Sequence, residues 1–224
     1  MSWLDLAFIH YRISAEILRP HLPAGLSPDT FDGAAWIGIV PFRMVDVRPR
    51  GLPAAPFFSS FPEINVRTYV VADGKPGVWF FSLDAASRPT VLLGRQFFDL
   101  PYHLARMQLR RAENRFDFSS HRTRANSVFR GRYQPIGETF HAAPHSFEHW
   151  ATERYCLYAH SPHRGLRRLD VHHPPWPLQR ADVQIDECTL LNPFDLPVNS
   201  STPDACHFSP GVPVVSFNPE RLPR

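Results

Sequence analysis

Lysine is almost missing from this chain of 224 residues, in which a single lysine, Lys75, stands beside 23 arginines. Covalent catalysis through a Schiff base needs a primary amine, which is activated by burial or by a neighbouring cation. Lys75 lies in the turn sequence 72-ADGKPG-77, which has no apolar surroundings and predicts a solvated charge. The scarcity of lysine therefore argues against amine-based chemistry.

Cysteine and long apolar runs are also scarce. The three cysteines, Cys156, Cys188 and Cys206, form no CxxC pair, so they predict neither a disulfide framework nor a zinc ribbon and fit a reducing compartment. Cys156 is expected to pack in the core. No run approaches the roughly 20 apolar residues of a membrane helix, and the start 1-MSWLDLAFIHYR-12 has no basic leader. These features predict a cytoplasmic protein without a membrane partner.

The common catalytic motifs are missing as well. No GxSxG elbow, GxGxxG turn or GxxxxGK[ST] loop occurs, so no cofactor is predicted. His141, His145 and His149 recur at four-residue steps, but Pro144 interrupts the helix on which they would align, and no metal site is predicted. The arginine-rich stretch 106–115 is interpreted first as the solvated face of a helix, in preference to a phosphate site, and nucleic acid is not expected as a partner.

What is abundant is proline, with 24 residues that divide the chain into short segments. This pattern predicts a mainly β (α+β) fold with a few short helices in a single domain over residues 1–224. The expected helices are 14–20, 101–112, which begins at Pro101 with Asp99 as its cap, and 147–155. The expected strands are 34–47, the hairpin 63–71 and 78–85, the hairpin 115–123 and 125–135, and then 155–160, 166–173 and 181–186. The loop 48–62 separates the first strand from the first hairpin, and its aromatic part 56–61 is either a contact surface or a lid.

The first hairpin has an unusually polar face. Strand alternation places Ile64, Val66, Thr68 and Val70 on one side of residues 63–71 and the polar row Glu63, Asn65, Arg67 and Tyr69 on the other. Two interpretations stay open for the polar row. It is either a solvent-exposed sheet face or the lining of a small curled barrel that holds a ligand.

Several motifs together resemble a known family. The segments 31-FDGAAWIGIVPFRM-44, 62-PEINVRTYV-70, 77-GVWFFSLDA-85, 94-GRQFFDLPYHLA-105, 153-ERYCLY-158 and 172-HHPPWPL-178 resemble the YqjF-like family (domain of unknown function 2071), which looks like a branch of the acetoacetate decarboxylase superfamily. The resemblance spans residues 3–181, and the segment 192–222 adds nothing to it. It implies an antiparallel sheet curled into a cone-shaped barrel with a site inside.

The resemblance also implies site residues and a change of chemistry. In the decarboxylases, a Gly-Arg segment leads to Pro-Lys-Lys, whose first lysine forms the Schiff base. Here 94-GR-95 leads to 101-PYH-103, so Tyr102 and His103 stand in place of the lysines, and neither side chain can form an iminium. Glu63 matches the family's glutamate. The arginine that would grip a substrate carboxylate aligns near Leu4 and is lost, which leaves Arg67 or Arg95 for anion binding, although Arg95 is equally a structural ion-pair partner.

The leading hypothesis is an enzyme that holds a small polar organic molecule in the barrel and carries out acid/base chemistry of the lyase, dehydration or isomerisation type. Its expected catalytic residues are Glu63, Tyr102 and His103 as a proton shuttle, and its expected substrate-binding residues are Asn65, Arg67, Tyr69 and Arg95. One alternative is a non-catalytic small-molecule binding or sensor protein, and another is a scaffold without a ligand. A homo-oligomer is a further expectation.

Overall fold

The computed structural model describes residues 1–47 and 59–222. The helices are α1 (Ala15–Leu18), α2 (Arg88–Phe98) and α3 (Phe147–Thr152), with 3₁₀ turns at Arg19–His21 and Asn192–Phe194. The strands are β1 (Ser2–Ile13), β2 (Ser27–Pro28), β3 (Ala35–Val45), β4 (Phe61–Ala72), β5 (Lys75–Ala85), β6 (Tyr102–Ala112), β7 (Arg115–Arg122), β8 (Val128–Phe140), β9 (Cys156–Ser161), β10 (Gly165–His172), β11 (Leu178–Cys188), β12 (Ala205–Pro213), β13 (Val215–Ser216) and β14 (Glu220–Arg221). The fold is mainly β, as predicted.

Local sequence signals place several of these elements. Ser14 caps α1 by accepting a hydrogen bond from the Glu16 amide, and Ser146 caps α3 through the His149 amide. Asp73 and Gly74 turn the β4–β5 hairpin with positive φ angles of 49° and 73°. The predicted strands correspond to β3, β4, β5 and β7 to β11. The predicted hairpins and the helices at 14–20 and 147–155 are thus confirmed in outline.

The sheet curls until it closes on itself. Among the described residues, pairing runs from β5 through β6, β7, β8, β11, β12, β1, β3 and β4, and β4 then pairs with β5 again. Neighbouring strands are antiparallel except that β5 runs parallel to β6 and to β9. β9 and β10 extend the sheet beyond the ring, alongside the first half of β5.

The lumen face of the ring and the opposite face of β1, β3, β4 and β5 are buried in two separate cores. All nine ring strands contribute apolar side chains to the ring core, in which Phe116 of β7 packs across the lumen on Phe208 of β12 at a centroid distance of 5.2 Å. The opposite face of β1, β3, β4 and β5 carries the second core. Helix α3 and residues 173–178 cover this second core, with Trp36 against Phe147 and Phe8 against Trp176.

The predicted helix 101–112 is wrong, because these residues form strand β6. The segment pairs along its length with β7 and, at Tyr102–Leu104, with β5. This two-sided pairing overrides the local helical preference of residues such as Leu104, Ala105 and Met107. The helix lies earlier, at α2, where Ser87 is the cap and Pro89 stands in the first turn. Asp99 ends α2 in the left-handed region at φ 54° instead of starting a helix.

Two further segments from the sequence analysis are the loop before β4 and the C-terminal region. Most of the predicted loop 48–62 and half of its aromatic part 56–61 lie outside the described residues, and β4 already begins at Phe61. The C-terminal region, to which no motif assigned a role, supplies β12. This strand pairs with β1 on one side and β11 on the other and so completes the ring.

Candidate functional site

Glu63 and Tyr102 meet in the second core. Glu63 lies on β4 and is 2% exposed, and Tyr102, the first residue of β6, is 6% exposed. The phenol donates a hydrogen bond to Oε2 of Glu63 at 3.1 Å. Strand β5 lies between them, where Ala85 pairs with Glu63 and Leu83 with Tyr102. The small side chain of Ala85 leaves space for the two longer ones to meet.

Burial sets the protonation of this pair. Loss of solvent raises the pKa of Glu63 to about 8, and the negative charge of Asp84 adds to the rise, while the hydrogen bond from Tyr102 opposes it. Burial and the nearby Glu63 raise the pKa of Tyr102 well above its ordinary value. At neutral pH the pair is therefore mainly a carboxylic acid beside a neutral phenol.

Helix α2 fixes the position of Tyr102. Gly94 faces the Tyr102 ring so closely that an added Cβ atom would overlap with it. Nε of Arg95 donates a hydrogen bond to the Tyr102 carbonyl oxygen at 2.6 Å. Arg95 therefore has a structural role, but its partner is a backbone carbonyl group and not the carboxylate of an ion pair.

The polar row continues along β4 from Glu63. Asn65 and Tyr69 are buried and Arg67 is half-buried, so the interpretation as a solvent-exposed sheet face is wrong. The row does not face the lumen of the nine-strand ring either, because Ile64 and Val66 face that lumen. It lies in the second core, beneath α3, where the Tyr69 ring packs against Trp150 at 4.5 Å.

Arg67, Tyr69 and His10 form a hydrogen-bonded chain at the other end of this row. Nη2 of Arg67 donates to the Tyr69 hydroxyl at 3.3 Å, and that hydroxyl lies 2.6 Å from Nε2 of His10. Burial, and then the charges of Arg67 and His207, lower the pKa of His10 well below its ordinary value. The imidazole is therefore neutral. The Tyr69 hydroxyl accepts from Arg67, and the tautomer of His10 decides whether this hydroxyl donates to Nε2 or also accepts from it.

Several polar atoms around the second core have no partner. Among the described residues, buried side-chain atoms without a hydrogen-bond partner include Asn65 Oδ1, Arg67 Nε, His10 Nδ1, His207 Nδ1, Trp3 Nε1 and Trp150 Nε1. Buried polar groups are normally satisfied, so a cluster of unsatisfied ones is unusual. Three of these atoms, Arg67 Nε, Trp3 Nε1 and Trp150 Nε1, are N–H donors, which a ligand with several acceptors would satisfy.

The guanidinium of Arg67 lacks a carboxylate partner. Its Cζ lies 5.4 Å from the Phe8 ring centre and 5.5 Å from that of Tyr69, and a further contact reaches the Ala151 carbonyl oxygen. Arg154, which stacks on the same Tyr69 ring, differs because it forms an ion pair with Asp29. Within residues 1–47 and 59–222, Arg67 is thus a cation without a counter-charge in direct contact.

His103 lies apart from Glu63. Because consecutive residues of a strand point to opposite faces, the His103 side chain lies on the side of β6 away from Tyr102. It lines a different cavity together with Arg95 and Arg122. Burial, followed by the charges of Arg122 and Arg95, lowers the pKa of His103 to about 4, so the imidazole is neutral at pH 7.

Two buried groups, His10 and Asp84, were not predicted, although the sequence contains a signal for each. His10 occupies an even position of β1 after Leu6 and Phe8, both of which face the second core. Strand alternation therefore could have placed a buried histidine there. Asp84, in the apolar stretch 78-VWFFSLDA-85, forms a buried ion pair with Arg122, with Nε–oxygen distances of 2.8 and 2.9 Å.

The remaining candidates lie outside this site. Lys75, at the far end of β5, forms an ion pair with Asp170 at 2.9 Å. About ten residues of strand, or roughly 30 Å, separate it from Ala85 beside Glu63. Cys156 is buried, as expected, and burial raises the pKa of its thiol. In the part of the chain that the structure describes, no three His, Cys, Asp or Glu side chains are grouped as metal ligands, and no helix has the length and apolarity to cross a membrane.

Comparison with known proteins identifies the family. The model of the family DUF2071, described as an uncharacterized conserved protein, matches residues 1–213. The chain belongs to this family. The uncharacterized protein YqjF of Bacillus subtilis (strain 168), a relative, is 40% identical over 203 residues, which cover 90% of this chain and 84% of YqjF. The resemblance found in the sequence is confirmed, and the family carries no assigned activity.

Solved structures establish the wider fold. The enduracididine biosynthesis enzyme MppR aligns with a TM-score of 0.68 and 14% identity over 98% of this chain and 88% of its own. An acetoacetate decarboxylase-like enzyme from Sphingomonas wittichii RW1 aligns with a TM-score of 0.66 and 16% identity, over 99% and 92% of the two chains. Acetoacetate decarboxylase from Legionella pneumophila gives a TM-score of 0.58 at 13% identity, over 97% and 85%. This DUF2071 chain therefore has the acetoacetate decarboxylase-like fold, a curled sheet.

Proposed function

We propose that this protein binds a small organic carboxylate in the second core and moves protons on it through Glu63 and Tyr102, without a Schiff base. The reaction class is proton abstraction beside a carbonyl group, with dehydration or isomerisation as the outcome. The observation that carries the proposal is the buried contact between the Glu63 carboxyl group and the Tyr102 hydroxyl.

The protonation of the pair suits acid/base catalysis. A general acid or base works best when its pKa lies near the working pH, and the pKa of Glu63 is raised to about 8. Such a group holds its proton at neutral pH but releases it at modest cost. A neutral phenol beside it can donate a hydrogen bond to a developing oxyanion. Each positioned group of this kind contributes about 10²–10⁴-fold to a rate.

The other end of the row supports binding of an anion. Arg67 carries a positive charge without a contacting carboxylate among the described residues, and its Nε has no acceptor. Nδ1 of His10 also has no hydrogen-bond partner, and the carbonyl oxygen of Asn65 is an acceptor without a donor. A carboxylate at Arg67 would provide the acceptor that Nε lacks, and a hydroxyl or hydrated group at Asn65 would provide the donor.

Distances along β4 suit a short molecule. Glu63 and Arg67 are four residues apart, which corresponds to about 13 Å between Cα atoms in an extended strand, and Asn65 lies midway. The long side chain of Arg67 shortens the gap to be spanned. A ligand of a few carbon atoms, with its carboxylate at Arg67, would bring its carbonyl-bearing carbon towards Glu63 and Tyr102.

The fold neighbours suggest which compounds to try first. MppR was solved with pyruvate and with the condensation product of pyruvate and imidazole 4-carboxaldehyde. A 2-oxo acid offers the carboxylate and the adjacent carbonyl group that Arg67 and Tyr102 are suited to bind. Lys75, in contrast, is ion-paired far from Glu63, which supports chemistry without an iminium.

The test is proton exchange in heavy water. A panel of 2-oxo and 3-oxo acids is incubated with the protein, and the loss of the signals of protons next to the carbonyl group is followed by NMR. We expect wild-type protein to accelerate exchange for at least one compound, and Glu63→Gln to reduce the rate about 100-fold while binding, measured by saturation transfer, changes little. Arg67→Gln should weaken binding, whereas the control Arg110→Gln, an exposed residue of β6, should leave both unchanged.

Three outcomes decide between the hypotheses. Binding that depends on Arg67 without exchange or conversion of any compound would support the alternative, a non-catalytic binding or sensor protein. Exchange that survives Glu63→Gln would contradict the catalytic role. Capture of a ketone on the protein by borohydride would contradict the absence of a Schiff base.

The pH profile separates a base role from an acid role. With a pKa of about 8, Glu63 as a base should give an exchange rate that rises about tenfold per pH unit below pH 8 and levels off above it. If Glu63 acts as an acid, the exchange rate should instead fall above pH 8. A profile without any change near pH 8 would remove Glu63 from the rate-determining step.

A further inference from the structure

A cavity of about 800 Å³ opens at the rim of the ring, at the edge of the second core, to which its lining residue Val91 belongs. It lies between the first half of α2, the start of β6 and the turn that joins β7 to β8. We call it the rim cavity. Neither Glu63 nor Tyr102 lines it, and its positively charged or imidazole-bearing lining residues are Arg88, Arg95, His103, Arg106, Arg122 and Arg124.

The rim cavity carries an excess of positive charge. Within residues 1–47 and 59–222, no acidic side chain lines it, and four of its arginines, Arg88, Arg95, Arg106 and Arg124, form no ion pair. Other arginines have an acidic partner, for example Arg164 and Arg167, which both pair with Asp99. Guanidinium groups gathered in one concave site repel each other unless an anion joins them.

The fifth arginine, Arg122, supplies a buried donor. Its side chain is 4% exposed, and its Nε donates to both carboxylate oxygens of Asp84. Its Nη2 is buried and has no acceptor in the described part of the chain. An unsatisfied charged donor next to a cavity is costly, and an anion in that cavity would provide the missing acceptor.

The walls of the rim cavity are held in place by hydrogen bonds. Both the amide and the hydroxyl of Thr123 donate to the Leu104 carbonyl oxygen at 3.0 Å, which fixes the β7–β8 turn on β6. The contact of Arg95 Nε with the Tyr102 carbonyl oxygen fixes Arg95 and leaves its terminal nitrogens available. The N-terminus of α2, with no acidic residue in its first turn, adds its partial positive charge. A prepositioned site binds at a lower entropic cost.

We propose that the rim cavity binds a small organic phosphate, as a second ligand distinct from that of the second core. Four uncompensated guanidinium groups call for an anion with several charges, since a single carboxylate would neutralise one of them. Arginine forks match phosphate oxygens in pairs. Apart from Thr123, the remaining lining is apolar, at Ala86, Val91, Leu104, Ala105 and Ala125, which gives the organic part of the ligand a surface to pack on. The volume lies in the usual range for small-molecule sites.

The sequence led to a different expectation for these arginines. The stretch 106–115 was interpreted as the solvated face of a helix, on which Arg106 would lie beside Arg110. In strand β6, Arg106 instead lies opposite the end of β7, with His121 as its pairing partner, and so close to Arg122 and Arg124. Arg106 lies close to Arg122 and Arg124 because its segment is a strand paired with β7 and not a helix.

Binding is tested by calorimetry on the full chain in low salt, with pyrophosphate, ADP and a 20-nucleotide single-stranded DNA as probes. We expect pyrophosphate and ADP to bind with one site per chain. The double variant Arg106→Gln/Arg124→Gln, at two exposed positions, should weaken both at least tenfold. The double variant Arg19→Gln/Arg110→Gln removes the same charge from exposed positions outside the rim cavity, and it should change the affinity less than twofold.

Other results would overturn the proposal. No binding of pyrophosphate or ADP at millimolar concentration would do so, as would an equal loss in the two double variants, which would indicate general attraction to a basic surface. Tighter binding of the DNA than of ADP, lost only with Arg106 and Arg124, would assign the cavity to nucleic acid instead. Binding of pyrophosphate but not of ADP would contradict the place assigned to the organic part.

Discussion

Glu63 is buried beside a phenol instead of a cation, and this neighbour decides its charge. Burial also raises the pKa of Asp84, but there the Arg122 guanidinium opposes the rise by its hydrogen bonds and its charge. Glu63 has only the Tyr102 hydroxyl, so burial dominates and the acid form persists to about pH 8. The same carboxyl group is therefore both a candidate catalyst and a source of pH-dependent stability.

The stability effect has a definite sign. The folded pKa of about 8 lies above the unfolded value of 4.5, so between these values the native state holds a proton that the unfolded state has lost. Raising the pH through this window removes stability, on the order of a few kcal/mol for a fully buried group. Glu63→Gln should flatten this loss, as measured by urea unfolding from pH 5 to pH 9.

Tyr102→Phe is the matched control for this measurement. It leaves Glu63 buried but deletes the hydrogen bond that favours the ionised form, so the decline in stability with pH should be at least as steep as in the wild type. An equal decline in wild type and Glu63→Gln would show that other groups dominate.

At the scale of elements, α2 and β6 act together. The helix packs Gly94 on the ring of Tyr102, and β6 holds that ring beside Glu63 through its pairing with β5. This contact gives a physical reason for the glycine of the Gly-Arg pair 94–95, because any side chain there would displace the phenol. The orientation of Tyr102 therefore depends on a residue that never touches Glu63.

Gly94→Ala should destabilise the fold and disturb the site together. Overpacking of this kind costs about 1–3 kcal/mol, which urea unfolding would detect, and binding or exchange at the second core should fall as Tyr102 shifts. The control is Leu93→Ala, at an exposed neighbour that is 49% accessible and should cost under about 1 kcal/mol. If Gly94→Ala is as stable as the wild type, α2 must shift to accommodate the added methyl group without moving the Tyr102 ring.

Elements with local signals were predictable from the sequence. Ser14 and Ser146 predict helix starts because a capping residue bonds only to the first turn of its own helix. Asp73-Gly74 predicts a hairpin because such a turn needs residues that adopt positive φ angles. The helix expected at 101–112 failed since strand pairing on both sides of β6 cannot be read from the segment itself. The family resemblance placed both Tyr102 and His103 at the site, but alternation along β6 turns His103 to the other side and only Tyr102 reaches Glu63.

At the scale of the whole molecule, closure of the ring depends on the C-terminal region. β12 fills the gap between β1 and β11 and carries Phe208 into the ring core. Its partner β1 comes from the opposite end of the chain, so no local pattern could have revealed the pairing. The single-domain expectation and the homo-oligomer both stay predictions, and light scattering on the purified chain would test the second.

Truncation tests the role of β12. A chain ending at Asp204 would expose the edges of β1 and β11 and open the ring core, so we expect insoluble or unfolded protein. A chain ending at Pro219 loses only the short β14 from the described fold and should remain folded. Circular dichroism and the soluble fraction of each truncated chain measure the difference. A folded chain without β12 would show that the remaining strands suffice.

Because side chains alternate along β6, the neighbouring residues Tyr102 and His103 face two different environments. Tyr102 contacts Glu63, whereas His103 lines the arginine-rich rim cavity. Deletion of one residue between Phe98 and Tyr102 would place the His103 imidazole against Glu63, and insertion of one residue would place the Tyr102 phenol among the guanidinium groups. The length of that three-residue connection is thus under tighter constraint than its composition.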